Sequence, residues 1–392
     1  MRVALLCLLC MMDSVHSQGE YTEYIRSLSF SQDAQRIVAG NDEHMLTVWN
    51  ATTMKKIKST PRAGGISLFS PDQSQIISAY QKAIRVWDAT SLELLREKAA
   101  VDPKGIKSIS CSPDGTLLVV GGYSALSVWD LASLTRLAEA SEGHAGWVRS
   151  VAFSPDGQSV VSVSDDKAIR VWDVSSLGIR QAATDVVPLQ LRKERVGAHG
   201  FWVRALSVSS DGSRLASGSH DTRSNLKVWD AASLELLGEK VGADRYRVNS
   251  VQFSPDGAHI ASGGDDRAIR LWDSTTLDLV AEREAAHSGA IFALAYSPDG
   301  AAIASGSYDK IRLWDAATLA ELGAPAADGS ARSSSQPAAS GSSVTAVWLE
   351  KLRQVKERGV SSKALKIYAI SAAVAFLAIG MISVLFGRPT AP

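Results

Sequence analysis

Cysteine is scarce in this chain. Its 392 residues include three, Cys7, Cys10 and Cys111. An odd, sparse set builds no disulfide framework and points to a reducing compartment. Cys7 and Cys10 have the spacing of a redox or metal pair. They sit, however, in the apolar run VALLCLLCMM with no second pair, so neither role is expected. Net charge is missing too, because 41 basic and 41 acidic side chains cancel. That removes any reason to expect bulk nucleic-acid binding. There is no Walker-type Gly-rich loop, no zinc spacing, no G-x-S-x-G elbow and no dinucleotide fingerprint. The expectation is therefore no cofactor, no metal, no small-molecule substrate and no catalysis. With 45% hydrophobic residues, the chain is nevertheless apolar enough to fold.

What it has is repetition. A hydrophobic residue, then Trp, then Asp or Asn recurs at Trp49, Trp87, Trp129, Trp172, Trp229, Trp272 and Trp314, with spacings of 38, 42, 43, 57, 43 and 42 residues. A second marker runs in phase with it: SQDA ending at Ala34, SPDQ at Gln73, SSDG at Gly212, and SPDG at Gly115, Gly157, Gly257 and Gly300. In the copy from Gly143 to Leu177, VRSVAF alternates apolar and polar residues as a half-buried strand does. SPDG is a tight turn, SVVSVS a second strand, DDK a turn and AIRVWD a third strand. The stretch after Asp173 begins a fourth, clearer elsewhere as LELLREK after Ser91 and LELLGEK after Ser233. Each unit is expected to be a four-stranded antiparallel sheet.

At these residues, over Tyr21 to Pro325, the chain resembles the WD40 family. The resemblance implies an all-β, seven-bladed propeller, one sheet per blade, over residues 21–325. One blade cannot cover both its faces, whereas ring closure gives each blade two neighbours. The resemblance also implies a hydrogen-bonded set of His, Ser, Asp and Trp that pins the strands. Matching positions are His144, Ser162, Asp166 and Trp172 in blade four, His199, Ser217, Asp221 and Trp229 in blade five, and His287, Ser305, Asp309 and Trp314 in blade seven. Blade six keeps Ser262, Asp266 and Trp272 but has Asp244 for the His. Blades one to three depart further. Glu43, Gln81 and Tyr123 stand at the Asp position and no His is present, so these blades are expected to be less tightly tied. A hydrolase reading of Ser, His and Asp fails, because a triad is needed once and this set recurs with a Trp attached.

The loops leading into blades four, five and six carry large side chains at one equivalent place. These are Trp147, then Phe201 and Trp202, then Arg245, Tyr246 and Arg247. Such residues match the composition of protein-binding hot spots. The alternative is that Trp147 and Trp202 pack between blades. The spacing of 57 marks an insertion, Gly178 to Gly200, made locally basic by Arg192, Lys193 and Arg195. It reads as a long solvated loop, or as a docking strip for an acidic partner or anionic lipid.

Beyond the ring, residues 326–346 form a Ser/Ala/Gly-rich linker. Residues 347–366 follow as a basic amphipathic helix, with Trp348, Leu349, Leu352 and Val355 on one face. Residues 367–386 carry no charge, and a stub of residues 387–392 ends the chain. At 1.5 Å per residue, twenty residues reach about 30 Å, one hydrocarbon thickness. Ten of them are Leu, Ile, Val or Phe, which favours insertion by at most about 3 to 6 kcal/mol. This is the pattern of a C-terminal tail anchor. Basic residues before the span, with only Arg388 after it, place the propeller in the cytosol, on endoplasmic reticulum or mitochondrial outer membrane. Residues 1–20 claim the opposite topology, since Arg2 and the apolar run to Met12 resemble a secretory signal. Three functions stand. The leading one is a membrane-anchored scaffold that binds protein partners through a propeller face. The second is an exchange factor for a small GTPase, similar in layout to the membrane-anchored propellers that activate the coat-forming Sar GTPase. The third is a lumenal or cell-surface receptor.

Overall fold

A computed structural model of the chain describes residues 24–141, 143–177, 185–221 and 225–322. Two compact units separate at residue 325. The first holds every described residue. The leader 1–20, the linker 326–346, the helix 347–366, the span 367–386 and the stub 387–392 all lie outside the described residues. Among those that are described, no helix is long and apolar enough to cross a membrane.

The described residues form seven sheets in chain order. Blade one is β1 (Ile25–Phe30), β2 (Arg36–Asn41), β3 (Met45–Asn50) and β4 (Lys56–Pro61). Blade two is β5 (Ile66–Phe69), β6 (Gln75–Tyr80), β7 (Ala83–Asp88) and β8 (Leu94–Lys98). Blade three is β9 (Ser108–Cys111), β10 (Leu117–Gly121), β11 (Leu126–Asp130) and β12 (Thr135–Ala140). Blade four is β13 (Val148–Phe153), β14 (Ser159–Ser164), β15 (Ile169–Asp173) and, after the short β16 (Val187–Pro188), β17 (Gln190–Arg195). Blade five is β18 (Val203–Val208), β19 (Arg214–Ser219), β20 (Leu226–Asp230) and β21 (Leu236–Lys240). Blade six is β22 (Val248–Phe253), β23 (His259–Gly264), β24 (Ile269–Asp273) and β25 (Leu279–Arg283). Blade seven is β26 (Ile291–Tyr296), β27 (Ala302–Ser307), β28 (Ile311–Asp315) and β29 (Glu321–Leu322).

The turn chemistry expected from SPDG is present in every blade. In blade four, Ser154 Oγ donates to Asp156 and accepts from Ser159 N, while Gly157 N donates to Ser154 O. These bonds hold the Asp156 carboxyl below its ordinary range. Gly157 has φ of 70°, where a Cβ is disfavoured. Blades one and two place Ala34 and Gln73 at that position, with φ of 56° and 64°.

The ring closes through packing between successive blades. Each main apolar cluster is shared by two neighbours, such as Leu117, Val128, Val148 and Trp172 between blades three and four. The cluster of Phe30, Ile37, Ala295 and Leu313 joins blade seven to blade one. A glycine near the end of a second strand repeatedly receives the first residue of the next blade. A Cβ on Gly218 would lie 2.6 Å from Val248 Cγ1, one on Gly263 would lie 2.9 Å from Ile291 Cγ2, and one on Gly306 would lie 2.4 Å from Ile25 Cγ2. Gly306 and Ile25 thus repeat at the seam the contact found within the ring.

The insertion departs from expectation. The segment Gly178 to Gly200 is not wholly a loop, and no fourth strand begins directly after Asp173. β17, Gln190–Arg195, is the fourth strand of blade four, paired with β15. The edge of the sheet engages its basic residues. Arg192 pairs with Asp173 at 2.8 Å, Glu194 pairs with Arg170, and Lys193 donates to Ala232 O. β16 joins blade three, parallel to β12. An unpaired outer edge is a liability that such pairing covers.

Candidate functional site: the leading face

The Ser, His, Asp and Trp sets are buried. In blade four, Trp172 Nε1 donates to Ser162 Oγ at 2.8 Å, Ser162 bonds His144 Nε2 at 2.8 Å, and His144 Nδ1 donates to Asp166 at 2.9 Å. Blade seven repeats this with Trp314, Ser305, His287 and Asp309, at 2.7, 2.6 and 2.7 Å. In blade five, Ser217 takes Trp229 Nε1 at 2.8 Å and His199 Nε2 at 2.7 Å, while Asp221 accepts from Gly200 N. Burial pushes the His144 and His287 pKa values down. Burial works against the Asp166 carboxylate, yet bonds from His144 and Arg170 hold it far below the usual range. Ser162, Ser217 and Ser305 have no exposed surface. Each hydroxyl is spent on Trp and His, and none reaches solvent. The sets pin strands.

Blade two keeps the Trp–Ser bond in the same register, with Trp87 Nε1 donating to Ser78 at 2.9 Å, whereas in blade three Trp129 Nε1 donates to Ser127 at 2.8 Å. Trp49 Nε1 is buried without a partner among the described residues. Blade one is therefore the loosely tied one.

In blade six the substitution of Asp244 for His creates a buried acid pair. Asp244 is 2% exposed. Its Oδ1 accepts from Tyr246 N at 2.7 Å and Arg247 N at 2.9 Å, and its Oδ2 lies beside Asp266. Arg270 satisfies Asp266 at 2.8 Å. Burial, then the hydrogen bond and charge of Asp266, push the Asp244 carboxyl up to about 7. A carboxyl with a raised pKa thus sits at the base of the loop that carries Arg245, Tyr246 and Arg247.

The first strands of successive blades lie side by side around the axis. First and second strands are antiparallel, so the start of one and the end of the other meet at one edge. The loops leading into blades and the turns after second strands therefore share a face. The six residues singled out from the sequence lie there but do not form one cluster. Trp147 is half-buried and meets Tyr123 edge-on at 5.2 Å across the junction of blades three and four. Phe201 and Trp202 are 42% and 40% exposed, 5.0 Å apart, and both lie over His220. Tyr246 is 60% exposed, and Arg247 lies 3.5 Å from Asp265.

A further pattern on this face was missed at the sequence level. In blades one, four, six and seven the second residue of the first strand meets the residue sixteen positions later. Arg26 forks onto Asp42 at 2.6 to 2.9 Å, Arg149 onto Asp165 at 2.6 to 2.7 Å, and Asn249 donates to Asp265 at 2.7 Å. Phe292 meets Tyr308 at 4.7 Å. Blades two, three, five and seven lack the acid, with Gln81, Tyr123, His220 and Tyr308 at its place; the register thus puts Gln81 and Tyr123 level with Asp165, not with Asp166 as the sequence suggests. Lys107 lies 5.0 Å from the Trp147 ring, and Arg204 Nε is buried without a partner. Burial and the nearby Arg149 and Arg26 lower the Lys107 pKa. Burial and Arg149 bring Arg204 down to about 10. Burial, then Arg204, Arg247 and Arg149, bring His220 down to about 3. The spacing of sixteen, read along all seven copies, is the signal that finds these residues.

Elsewhere, burial pushes the Cys111 thiol up to about 12, which makes it unreactive at neutral pH. Among the described residues, no group of three His, Cys, Asp or Glu could hold a metal ion.

A family model for the WD domain, G-beta repeat, matches residues 12–50, 99–130, 136–173, 191–230, 236–273 and 281–315. Blade two lies outside these matches, yet it forms the same four-stranded sheet as the others. No curated protein matches the chain. The seven sheets, the repeated Trp–Ser bonds and the six matched repeats lead to one statement: the chain belongs to the WD40 family.

Proposed function

We propose that this protein is a membrane-held scaffold whose leading face binds protein partners. Propellers of this family are typically protein-interaction scaffolds. The observation that carries the reading is the exposed pair Phe201 and Trp202, on the same face as the exposed Tyr246. Exposed aromatics are the usual anchors of protein interfaces. The outer strands also expose Leu94 and Leu95, Leu236 and Leu237, and Leu279 and Val280, a pair in each of blades two, five and six. Neighbours along a strand point to opposite sides, so each side shows one such residue per blade, and scattered residues need no partner.

Replacing Trp147 and Trp202 together by Ala tests the reading. Trp202 is 40% exposed and Trp147 half-buried, so truncation forfeits part of their apolar burial as well as the roughly 1 kcal/mol of the edge-on contact with Tyr123. Partner capture should be lost while the protein still folds and unfolds cooperatively. Unimpaired capture, or a collapse of the fold, would sink it. The membrane half of the proposal rests on the apolar stretch from Ile367 to Phe386 and its basic flank. A propeller digested by protease outside intact microsomes is the expected result. Protection until detergent is added would place it in the lumen instead.

A further inference from the structure

Five blades share a third-strand cation that blade three lacks. In each, a Ser of the second strand stands opposite an Arg or Lys of the third: Ser78 and Arg85, Ser162 and Arg170, Ser217 and Lys227, Ser262 and Arg270, Ser305 and Arg312. Each cation pairs with a Glu of its own fourth strand. In blade three the same register sets Val120 opposite Ser127, and Ser127 opposite Glu139. The Glu is kept and the cation is not. Around these residues lies a cavity of about 300 Å³, whose lining includes Asp102, Val120, Gly122, Ser127, Arg136 and Glu139. Asp102 lies six residues before Ser108, as His144 lies before Ser150 and Asp244 before Ser250, so it holds the place of the blade's missing His. It is 6% exposed. Its Oδ1 accepts from Lys104 N and Gly105 N, both at 2.8 Å. Its Oδ2 has no partner among the described residues and lies over Gly122, where a Cβ would come within 2.0 Å of it. In blade four, His144 at this place touches Arg170 Nη1, which also reaches Asp166 at 2.7 Å, while Nη2 reaches Glu194. The Arg170 guanidinium thus fills, in blade four, the space between the residues that correspond to Asp102 and Glu139.

We propose that the cavity of blade three is a binding site for a guanidinium group from outside the chain, carried by a small guanidino compound or by an arginine side chain of a partner. The group enters where Arg170 and Arg270 place theirs from within. It donates to Asp102 Oδ2 on one side and to Glu139 on the other. A guanidinium presents its donors in a planar fork that matches two carboxylates at once, which a compact ammonium does not. A buried carboxylate oxygen without a donor is costly, and a charged N–H relieves it. The cations already nearby leave Asp102 unanswered. Arg136 pairs with Glu139 at 2.8 Å but keeps 36% of its side chain exposed, and such surface pairs yield at little cost. Lys104 holds its Nζ over the Tyr123 ring, 3.3 Å from the centroid, and makes no ion pair among the described residues. The volume stands at the lower end of the roughly 300 to 1,000 Å³ of small-ligand sites. Exposed Pro103 and Tyr123 belong to its lining, so the cavity reaches solvent. The site lies apart from Phe201 and Trp202, and it does not rest on the scaffold reading.

The test is binding of two kinds of probe to the full chain. One is agmatine, compared with its neutral carbamoyl counterpart. The other is a set of fluorescent peptide pools with a fixed Arg, Lys or citrulline and degenerate flanks. At least one guanidinium probe should bind about tenfold or more tightly than its neutral match, the gain expected for hydrogen bonds between charged groups. Binding of agmatine assigns the small compound, and binding of the Arg pool without agmatine assigns a partner's side chain. Asp102→Asn keeps an oxygen for Lys104 N and Gly105 N, so it should fold and weaken binding roughly tenfold or more. Glu139→Gln should act likewise. Val120→Ser plus Ser127→Arg rebuilds the pattern of blades four and six, with the guanidinium supplied from within. That variant should unfold cooperatively and bind no probe. Phe201→Ala, on the scaffold surface, should change nothing. No binding of any probe, equal binding of charged and neutral probes, or binding untouched by Asp102→Asn would overturn the proposal. So would binding that survives in the rebuilt variant or falls with Phe201→Ala. If the rebuilt variant fails to fold, the Asn and Gln variants decide.

Discussion

Asp244 should make the stability of this propeller depend on pH near neutrality. The perturbation is Asp244→Asn. In the native fold the Asp244 carboxyl titrates at about 7 against an ordinary 3.8. Below 3.8 the group is protonated folded or unfolded, and its contribution is fully present. As pH rises toward 7, the unfolded chain loses this proton while the fold keeps it, so stability falls until the folded carboxyl ionises. At about 1.4 kcal/mol for each pH unit, this displacement sets a ceiling of about 4 kcal/mol. An assay that starts near pH 5 reads only the part of this displacement between about 5 and 7, because the lowered carboxyl of Asp266 titrates below that range. We therefore expect at least about 2 kcal/mol. Asn keeps the geometry. Its carbonyl oxygen can still accept from Tyr246 N and Arg247 N, and its amide can donate to the Asp266 carboxylate. The weak bond from Asp266 N, at 3.2 Å, is what it gives up. The assay is urea unfolding of parent and variant at about pH 5 and about pH 8.5, reading the difference between the two proteins. That difference cancels the other titrating groups. The variant should gain on the parent by at least about 2 kcal/mol from acid to alkaline pH. Parallel pH profiles would refute the raised Asp244 carboxyl. Because Asp244 anchors the loop of Arg245, Tyr246 and Arg247, binding at that loop should weaken over the same interval.

Ser217→Ala should cost about 2 to 4 kcal/mol in urea unfolding, since it orphans the buried Trp229 Nε1 and His199 Nε2 together. The reverse experiment is Ala39→Ser. Ala39 pairs with Thr47 as Ser162 pairs with Arg170, so its hydroxyl falls where Trp49 Nε1 lacks a partner. A gain of about 1 kcal/mol is expected, and an unchanged or lower midpoint would count against it. Gly306→Ala should cost about 1 to 3 kcal/mol by overpacking the seam against Ile25. Limited proteolysis should then show cleavage beginning near blades one and seven. A variant as resistant as the parent would show that the seam does not govern opening.

Much of this protein is written locally. Alternation such as VRSVAF, the SPDG turns and the Trp series lie within single stretches of chain, and the physics that reads them reaches only a few residues. That is why the blade number and most strands were legible, even in blade two, which the family model does not match. The Ser–Trp bonds of blades four to seven were legible for the same reason, because both partners recur within one repeat.

What the sequence did not reveal depends on neighbours. The basic stretch Gln190–Arg195 reads as a charged loop, because its polarity hides an outer strand whose charges are answered by Asp173 and Arg170. Trp147 packs on Tyr123 of the preceding blade, whereas Trp202 lies mostly exposed, a distinction that no composition rule draws. Asp244 looked like a lost histidine and became an acid with a raised pKa only because Asp266 and burial meet it. Arg204 and His220 feel arginines of neighbouring blades only because the ring brings the first strands together around one axis. By itself the sequence determined the strand, the turn and the count, since those follow from short-range backbone and side-chain preferences. The tertiary structure alone decided which charges are answered and which aromatics are exposed. Burial and Coulomb energy depend on what closes around a group, and ring closure supplies that from residues far away in the chain.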